Sequence, residues 1–111
     1  MSGRDLIEVR VSAPDAQTAQ TIASSLVRER LAACAQVLGP ITSTYWWEGR
    51  VETEQEYLVL AKSTSPMFGA ICRRVGSEHP YDNPEILSVP VTAAAPAYAA
   101  WLRESLDDDG D

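Results

Sequence analysis

The feature that most constrains this chain is a long stretch of alternating residues that folds back on itself. Residues 33–63 form two extended runs that meet at Glu48 and Gly49. The side chains of the first run fall alternately on two faces, which is the period of a strand, and the run is rich in β-branched and aromatic residues. One face of this run carries Ile41, Ser43, Tyr45 and Trp47. The stretch is therefore predicted to be a β-hairpin.

The return run of the hairpin alternates as well, but its character changes along its length. Its two rows are Val51, Tyr57, Val59 and Ala61 on one face, and Glu52, Glu54, Glu56, Leu58, Leu60 and Lys62 on the other. The second row is acidic near the turn and apolar toward the base. We therefore expect the base to be buried and the tip to be in water, unless another chain covers the tip.

The length of the hairpin is the first indication of function. Each run is more than twice the usual strand length of about 5 or 6 residues, and the tip carries Tyr45, Trp46 and Trp47. A chain of 111 residues cannot bury both faces of such a hairpin in its own core. Because exposed tryptophans on a protruding ribbon are uncommon, we expect the hairpin to lie against another subunit.

Composition and charge narrow the range of partners. The chain has 9 basic and 16 acidic residues, which gives a net charge of -7. Proteins that bind nucleic acids or anionic membranes present a basic face, so neither is an expected partner. No segment reaches the roughly 18 to 20 apolar residues of a membrane span, and the first residues hold no apolar run of signal length. The expected location is the cytoplasm.

The order of the remaining elements predicts the architecture. The patterns indicate a strand at 6–12, a helix from Pro14 to about Leu31, the hairpin, a helix from Ser65 to just before Pro80, a strand at 85–91 and a helix from about Pro96. This β-α-β-β-α-β order with a final helix is the split βαβ arrangement of ferredoxin-like α+β folds. Right-handed crossovers place both main helices on one face of a four-stranded antiparallel sheet. One domain over 1–111 is expected, ordered over about 5–106, with 107–111 as a solvated acidic tail.

Prolines indicate where the helices begin and where the hairpin bends. Pro14 suits the first position of the first helix, with Asp15 at the positive end of the helix dipole. Ser65 is expected to cap the second helix, followed by a proline in its first turn. The pair Gly39-Pro40 interrupts the first run of the hairpin, which predicts a kink there.

The string His79-Pro80-Tyr81 combines the only histidine of the chain with a turn-forming proline and an aromatic hydroxyl. One interpretation is structural: His79 lies at the end of the second helix, where the negative end of the helix dipole favours a histidine. The other interpretation makes His79 a metal ligand or a proton carrier. Cys34 and Cys72 are the other soft ligands, but Cys72 and His79 lie roughly 10 Å apart on a helix. The sequence signal for a metal site within one chain is therefore weak.

An enzyme is the least supported interpretation. Cys34 and His79 could in principle act as nucleophile and base, but a thiol within the apolar string AACAQV more often packs than attacks. The chain has no nucleophile elbow, phosphate-binding loop, dinucleotide fingerprint or metalloprotease string. Both cysteines lie in apolar surroundings and lack CxxC spacing, so they are expected to be buried and reduced. We expect that the chain is not an enzyme.

Three further residues have more than one interpretation. Lys62 either extends toward the sheet edge or offers a fixed cation to an anionic ligand, and Glu85 is a candidate partner for it. In the third helix Tyr98, Trp101, Leu102 and Leu106 lie at helical spacing, and Trp101 is more consistent with the core than with a platform for a ligand.

Several long strings together resemble the CutA family of divalent-cation tolerance proteins. They are SAPDAQTAQTIA, ERLAACAQV, ITSTYWWEGRVETEQEYLVLAKST, EHPYDNPEI and PAYAAWLRESL, in the order of the family. The match runs from about Ile7 to Leu106. The resemblance implies a ferredoxin-like subunit, similar to PII signalling proteins, that assembles into a homotrimer whose long hairpins wrap neighbouring subunits.

The resemblance also implies a ligand-binding cleft between subunits. The positions that it places in this cleft are Cys34, Tyr45, Trp47, Lys62, His79, Tyr81 and Glu85. It implies a role in tolerance of copper and other divalent ions, with Cu(II) or another divalent cation as a candidate ligand. No enzymatic activity is established for the family as a group.

Two positions depart from family members for which copper binding is proposed. Those members tend to carry a thiol late in the first strand and a second histidine before H-P-Y, where this chain has Val11 and Glu78. Glu78 and His79 are then the candidate metal pair, which is a harder and weaker site than a soft copper site. The alternative is a non-catalytic trimeric assembly or a PII-like signalling module without a metal role.

Overall fold

The computed structural model describes residues 6–107. In this part of the chain the elements are β1 (Leu6–Ala13), α1 (Ala16–Arg28), β2 (Cys34–Trp47), β3 (Arg50–Thr64), α2 (Phe68–Glu78), β4 (Ile86–Pro90) and α3 (Pro96–Leu106). A 3-10 turn, Ser65–Met67, joins β3 to α2. Of the acidic tail expected at 107–111, all but Asp107 lies outside the described residues. Every helix in the described range is too short or too polar to cross a membrane.

The four strands form one antiparallel sheet in the order β2-β3-β1-β4. Val9 of β1, for example, lies between Ala61 of β3 and Ser88 of β4. The first strand is therefore central although it begins the chain, and the hairpin joins the sheet through β3. The α+β architecture, the order of elements along the chain and the four-stranded antiparallel sheet predicted from the sequence are confirmed.

One face of the sheet is covered by α1 and α2. The strand residues that point to this side are Ile7, Val9, Val11, Ala13, Val59 and Ala61, and the helix residues that meet them are Ala19, Ile22, Ala23, Leu26, Ile71 and Val75. The strand positions recur every second residue and the helix positions every third or fourth, as the core-facing rows of each element require. Both main helices lie on one face, as predicted.

The final helix, α3, is attached outside this core. Its Leu102 and Leu106 pack against Leu6 at the start of β1 in a second, smaller cluster. Tyr98 and Trp101 are exposed, and their rings contact each other with centroids 5.5 Å apart. The expectation that Trp101 belongs to the core is wrong, because only the stripe through the two leucines reaches the sheet.

The ends of α1 differ from the sequence expectation. Asp15 is the cap, and its carboxylate accepts a hydrogen bond from Thr18 N–H at 2.7 Å. Pro14 therefore precedes the helix and does not open it. The hydrogen bonds from Thr18 lower the pKa of Asp15, because they stabilise the charged carboxylate. The helix ends before Leu31, since Arg30 adopts a left-handed φ of 59°.

The start of α2 also differs from the expectation. Ser65 does not cap α2: it begins a 3-10 turn whose capping position is Thr64, and Met67 at the end of that turn occupies the capping position of α2. The proline of this turn lies in its first positions, as expected. At the other end His79 is the C-cap residue, and its N–H donates to Val75 O at 2.9 Å.

The hairpin bends at Gly39 and Pro40. The register between β2 and β3 shifts between Leu38 and Ile41, so the predicted kink is confirmed. Gly39 has a φ of 152°, and a Cβ atom there would lie 2.6 Å from Cδ2 of Tyr57. Glycine is required at this position because the tyrosine ring approaches the backbone so closely.

Beyond this bend the two arms of the hairpin pair only with each other. β1 ends opposite Tyr57, whereas the pairing of β2 with β3 continues to Trp47 opposite Arg50. At the tip Trp46 is 73% exposed and Trp47 is 60% exposed. The chain is accordingly elongated, with dimensions of 49 × 26 × 22 Å.

Candidate functional site

A row of polar side chains crosses the open face of the sheet, opposite α1 and α2, at the base of the hairpin. Cys34, Lys62 and Glu8 occupy neighbouring register positions on β2, β3 and β1. Side chains at paired positions point to the same face, so the thiol, the ammonium group and the carboxylate lie side by side. Two of the sequence-predicted cleft residues, Cys34 and Lys62, are thereby brought together.

Lys62 has two partners in this row. Its Nζ donates to Gln36 Oε1 at 2.9 Å and lies 3.5 Å from Glu8 Oε2. Glu8 also accepts a hydrogen bond from Arg10 Nε at 2.9 Å. The Arg10 hydrogen bond and the nearby Lys62 charge lower the pKa of Glu8 against the opposing effect of burial. Glu8, and not the exposed Glu85, is the carboxylate that pairs with Lys62.

Tyr98 of α3 completes this end of the molecule. Its hydroxyl lies 3.5 Å from Cys34 Sγ. This hydrogen bond, together with desolvation, raises the pKa of Tyr98 to about 12. Cys34 and Cys72 are free thiols that are partly buried, not fully buried as expected. Sequence analysis missed Tyr98 as a site residue, because its helical spacing assigned it to the apolar stripe of α3.

His79 is held by backbone groups on both sides of its ring. Its Nδ1 accepts a hydrogen bond from Tyr81 N–H at 3.1 Å, so Nε2 carries the proton and donates to Ser12 O at 2.7 Å. The Tyr81 ring lies 4.8 Å from the imidazole, measured between centroids. In this tautomer neither ring nitrogen has a lone pair free for a metal ion. This geometry favours the structural interpretation of the histidine.

Glu78, the other member of the candidate metal pair, contacts a different element. Its Oε2 accepts a hydrogen bond from Ser25 Oγ at 2.6 Å and lies 3.5 Å from Arg74 Nη2. Glu78 thus joins α2 to α1, whereas His79 joins the end of α2 to β1. Within residues 6–107, no three His, Cys, Asp or Glu side chains come close enough together to hold a metal ion.

Tyr45 and Tyr81 belong to a second group, beside the outer half of the hairpin. Desolvation and the carboxylates of Glu54 and Glu56 raise the pKa of Tyr45. Desolvation is the main cause that raises the pKa of Tyr81, and the charge of Glu56 is the next. The two phenols therefore share one acidic neighbourhood. The sequence pattern assigns Glu56 to the acidic row near the turn, but in the structure its side chain is buried.

Within one chain the two groups of predicted cleft residues lie far apart. Cys34 pairs with Lys62, and Tyr45 pairs with Glu52, ten positions away along β3. At about 3.3 Å per residue this separation is roughly 30 Å. Trp47 lies farther out still, opposite the first residue of β3. These residues cannot all line one cleft within a single chain.

Comparison with known proteins identifies the family. The family model described as CutA1 divalent ion tolerance protein matches residues 7–105. The chain belongs to this family. A divalent-cation tolerance protein CutA of Thermus thermophilus is 42% identical over 97 residues, which make up 87% of this chain and 94% of that protein.

Solved CutA structures share the fold. The crystal structure of CutA from Xylella fastidiosa superposes with a TM-score of 0.89 at 37% identity, over 93% of this chain and 99% of that one. The structure of the periplasmic divalent cation tolerance protein CutA from Archaeoglobus fulgidus gives a TM-score of 0.89 at 29% identity, over 92% and 99% of the two chains. The resemblance of the sequence to the CutA family is confirmed.

Family membership bears on two further expectations. CutA proteins are described as divalent-cation tolerance proteins and not as enzymes, in agreement with the prediction from the sequence. The Archaeoglobus fulgidus protein is described as periplasmic. A single cell compartment therefore cannot be carried over from the CutA relatives, and the cytoplasmic location of this chain stays a prediction.

Proposed function

We propose that this chain forms a homotrimer that acts in tolerance of divalent cations, copper included, and that clefts between its subunits bind a metal ion or a small molecule. The observation that carries the proposal is the uncovered outer half of the hairpin, where Trp46, Trp47 and Val51 are exposed. Apolar surfaces of this kind mark interaction sites. Sister copies of the chain would cover them in a closed symmetric assembly.

The open face of the sheet is a second uncovered surface. Next to the polar row it presents Leu38 and Leu87, which are exposed, and Leu58 and Leu60, which are partly buried. A chain of this size buries a limited fraction of its surface alone and is stabilised by burying more between subunits. The hairpin tip and the open face are therefore the two candidate halves of the subunit interface.

The same interface accounts for the cleft. Cys34 and Lys62 lie at the base of the hairpin, and Tyr45 and Trp47 lie roughly 30 Å away near its tip. The two groups can contribute to one cleft when they come from different subunits. Such a cleft would offer a thiol, an ammonium group and aromatic faces to one ligand.

The assembly is tested first. Light scattering on the purified protein is expected to give three times the 12.1 kDa mass of the chain. Trp47→Ala removes the apolar tip and is expected to shift the protein toward monomer at micromolar concentration. Trp101→Ala, an exposed tryptophan on α3, is the matched control and is expected to stay trimeric. A folded parent monomer at that concentration would refute the trimer.

The ligand is tested separately, by calorimetric titration of the assembled protein with Zn(II) and with Cu(II). Cys34→Ser and His79→Gln are expected to weaken binding of at least one ion about tenfold or more, as loss of a metal ligand does. A metal ion on His79 would have to displace its hydrogen bond to Ser12 O. Equal binding by the parent and both variants would remove these residues from the site.

A second candidate function is an assembly or PII-like signalling module with no metal role. It is favoured by the two backbone hydrogen bonds that occupy the ring of His79. If it holds, neither ion changes the melting temperature, while Trp47→Ala still dissociates the trimer. A rise in melting temperature with added metal that is lost in Cys34→Ser would argue against it.

A further inference from the structure

Glu56 of β3 is a buried carboxylate without a partner. Its side chain lies in the hairpin opposite Ile41, and the residue is only 8% exposed. Within residues 6–107 no side chain or backbone group forms a hydrogen bond or ion pair with it. The unpaired polar atoms that are fully enclosed belong to other residues, so the carboxylate of Glu56 is not completely shielded from solvent. A charged group in such a position is costly unless it has a counterion.

The surroundings of Glu56 are acidic as well. The pKa values of the neighbouring phenols Tyr45 and Tyr81 are raised mainly by desolvation and further by the charges of Glu54 and Glu56. Asp15, the cap of α1, adds a further negative charge that acts on Tyr81. Negative charge from three residues, two on β3 and one at the start of α1, thus acts on this neighbourhood.

The cations of the hairpin do not reach this group. Arg50 pairs with Glu52 near the tip at 3.2 Å. Lys62 is bonded to Gln36 and lies beside Glu8 at the base. The acidic group between them therefore has a net negative charge that is not compensated within the hairpin.

We propose that Glu56 binds a guanidinium or ammonium group, with Tyr45 and Tyr81 supplying aromatic faces and hydroxyls beside it. The inference rests on the proposed cleft, to which both tyrosines belong, and assigns an organic cation as the ligand class at its outer end. One carboxylate and two neighbouring phenols suffice for such a ligand, because a guanidinium group pairs with a carboxylate in two parallel hydrogen bonds and stacks on aromatic rings.

A bare metal ion fits this group less well. Hard cations take six or more oxygen ligands from several carboxylates, and no three acidic or other ligating side chains meet here. Phenols of ordinary pKa are neutral near pH 7, and the raised pKa values of Tyr45 and Tyr81 only reinforce this, so neither supplies a phenolate ligand. Neutral phenols instead retain the aromatic face and the hydroxyl that an organic cation uses.

The test is a titration of the parent protein with methylguanidinium and methylammonium, followed by NMR of the Glu56 carboxyl carbon and by calorimetry. Saturable binding of either probe is expected, with the Glu56 signal shifting. Glu56→Gln is expected to weaken binding about tenfold or more, as loss of a charge-assisted pair does. Glu104→Gln, an exposed acid on α3, is the matched control and should bind as the parent does.

The outcomes separate two sources of the cation. Binding of a free probe that depends on Glu56 supports a small-molecule ligand. If the probes do not bind and Glu56→Gln weakens the trimer while Glu104→Gln does not, the cation is a basic side chain of a sister copy, which also supports the proposal. A monomer that still binds methylguanidinium through Glu56 would refute the trimer and keep this inference.

Two results would overturn it. One is that Glu56→Gln alters neither probe binding nor assembly. The other is that Mn(II) binds at Glu56 while neither organic cation does. If Glu56→Gln fails to fold, the carboxyl signal of Glu56 in the parent protein decides, since this measurement needs no variant. The site is refuted if that signal does not shift at a high probe concentration and light scattering shows the parent to be monomeric.

Discussion

The inner and outer halves of the hairpin are made of the same two strands, yet they meet opposite environments. Val59 in the inner half of β3 is 0% exposed, whereas Val51 in the outer half is 58% exposed. The inner half is covered by α1 and α2 and flanked by β1. The outer half has neither. A strand pattern therefore tells which face is apolar, and only the rest of the fold tells whether that face is covered.

The boundary between the halves gives the largest expected effect. Gly39→Ala would place a Cβ atom 2.6 Å from Tyr57 Cδ2 at a φ of 152°, and we expect a loss of about 3 kcal/mol in unfolding free energy. Chemical denaturation measures it. Gly69→Ala in α2 is the control: its nearest neighbour, Arg73 Nη1, would lie 3.7 Å away, so stability should be kept or slightly raised. Equal effects of the two changes would refute the close approach.

A matched pair of valines tests the comparison directly. Val59→Ala removes two buried methyl groups from the core and is expected to cost about 2 kcal/mol. Val51→Ala is expected to cost less than about 0.5 kcal/mol in an isolated subunit. Denaturation at two protein concentrations measures both. If Val51→Ala approaches the cost of Val59→Ala only at the higher concentration, sister subunits cover the tip.

His79 fixes the loop after α2 to the end of β1, where the hairpin begins to run alone. His79→Ala removes its bonds to Ser12 O and Tyr81 N–H and is expected to cost about 1.5 kcal/mol, because the buried carbonyl loses its partner. Hydrogen exchange of the Tyr81 amide should accelerate. Tyr81→Phe, which keeps that amide bond and the ring, should leave the exchange rate unchanged; faster exchange there as well would assign the protection to the Tyr81 hydroxyl.

The smallest effect is expected at the base, where Tyr98 contacts Cys34. Because the folded state raises the pKa of Tyr98 to about 12, its contribution to stability is present below about pH 10 and is lost as the pH rises toward 12. The parent should therefore lose stability more steeply between pH 10 and 12 than Tyr98→Phe. Melting temperatures across this range measure the slopes, and parallel curves would contradict the hydrogen bond.

Much of the fold follows from local patterns. The alternation of β2 and β3, the kink at Gly39-Pro40 and the prolines near the helix starts are set by near neighbours in the sequence, and they predicted the elements in the right order. Exact helix limits were less predictable. Asp15 competes with Pro14 for the start of α1, and the left-handed Arg30 that ends it follows no strong sequence signal.

The candidate site is less visible in the sequence, because its contacts depend on strand register and on the position of α3. Glu8 and Lys62 are far apart in the chain and meet only through the pairing of β1 with β3. Tyr98 reaches Cys34 because α3 attaches through Leu102. The burial of Glu56 could not be anticipated from its row, whose outer members remain in contact with water.

The position of β2 at the edge of the sheet has a further consequence for handling the protein. In a lone subunit, one side of this strand exposes its amides and carbonyls, which is a template for cross-β stacking with other copies. The interruption at Gly39-Pro40 divides that template into 34–38 and 41–47. If the proposed assembly is prevented without lowering the protein concentration, such stacking is therefore expected to increase, and the interruption limits how far it can spread.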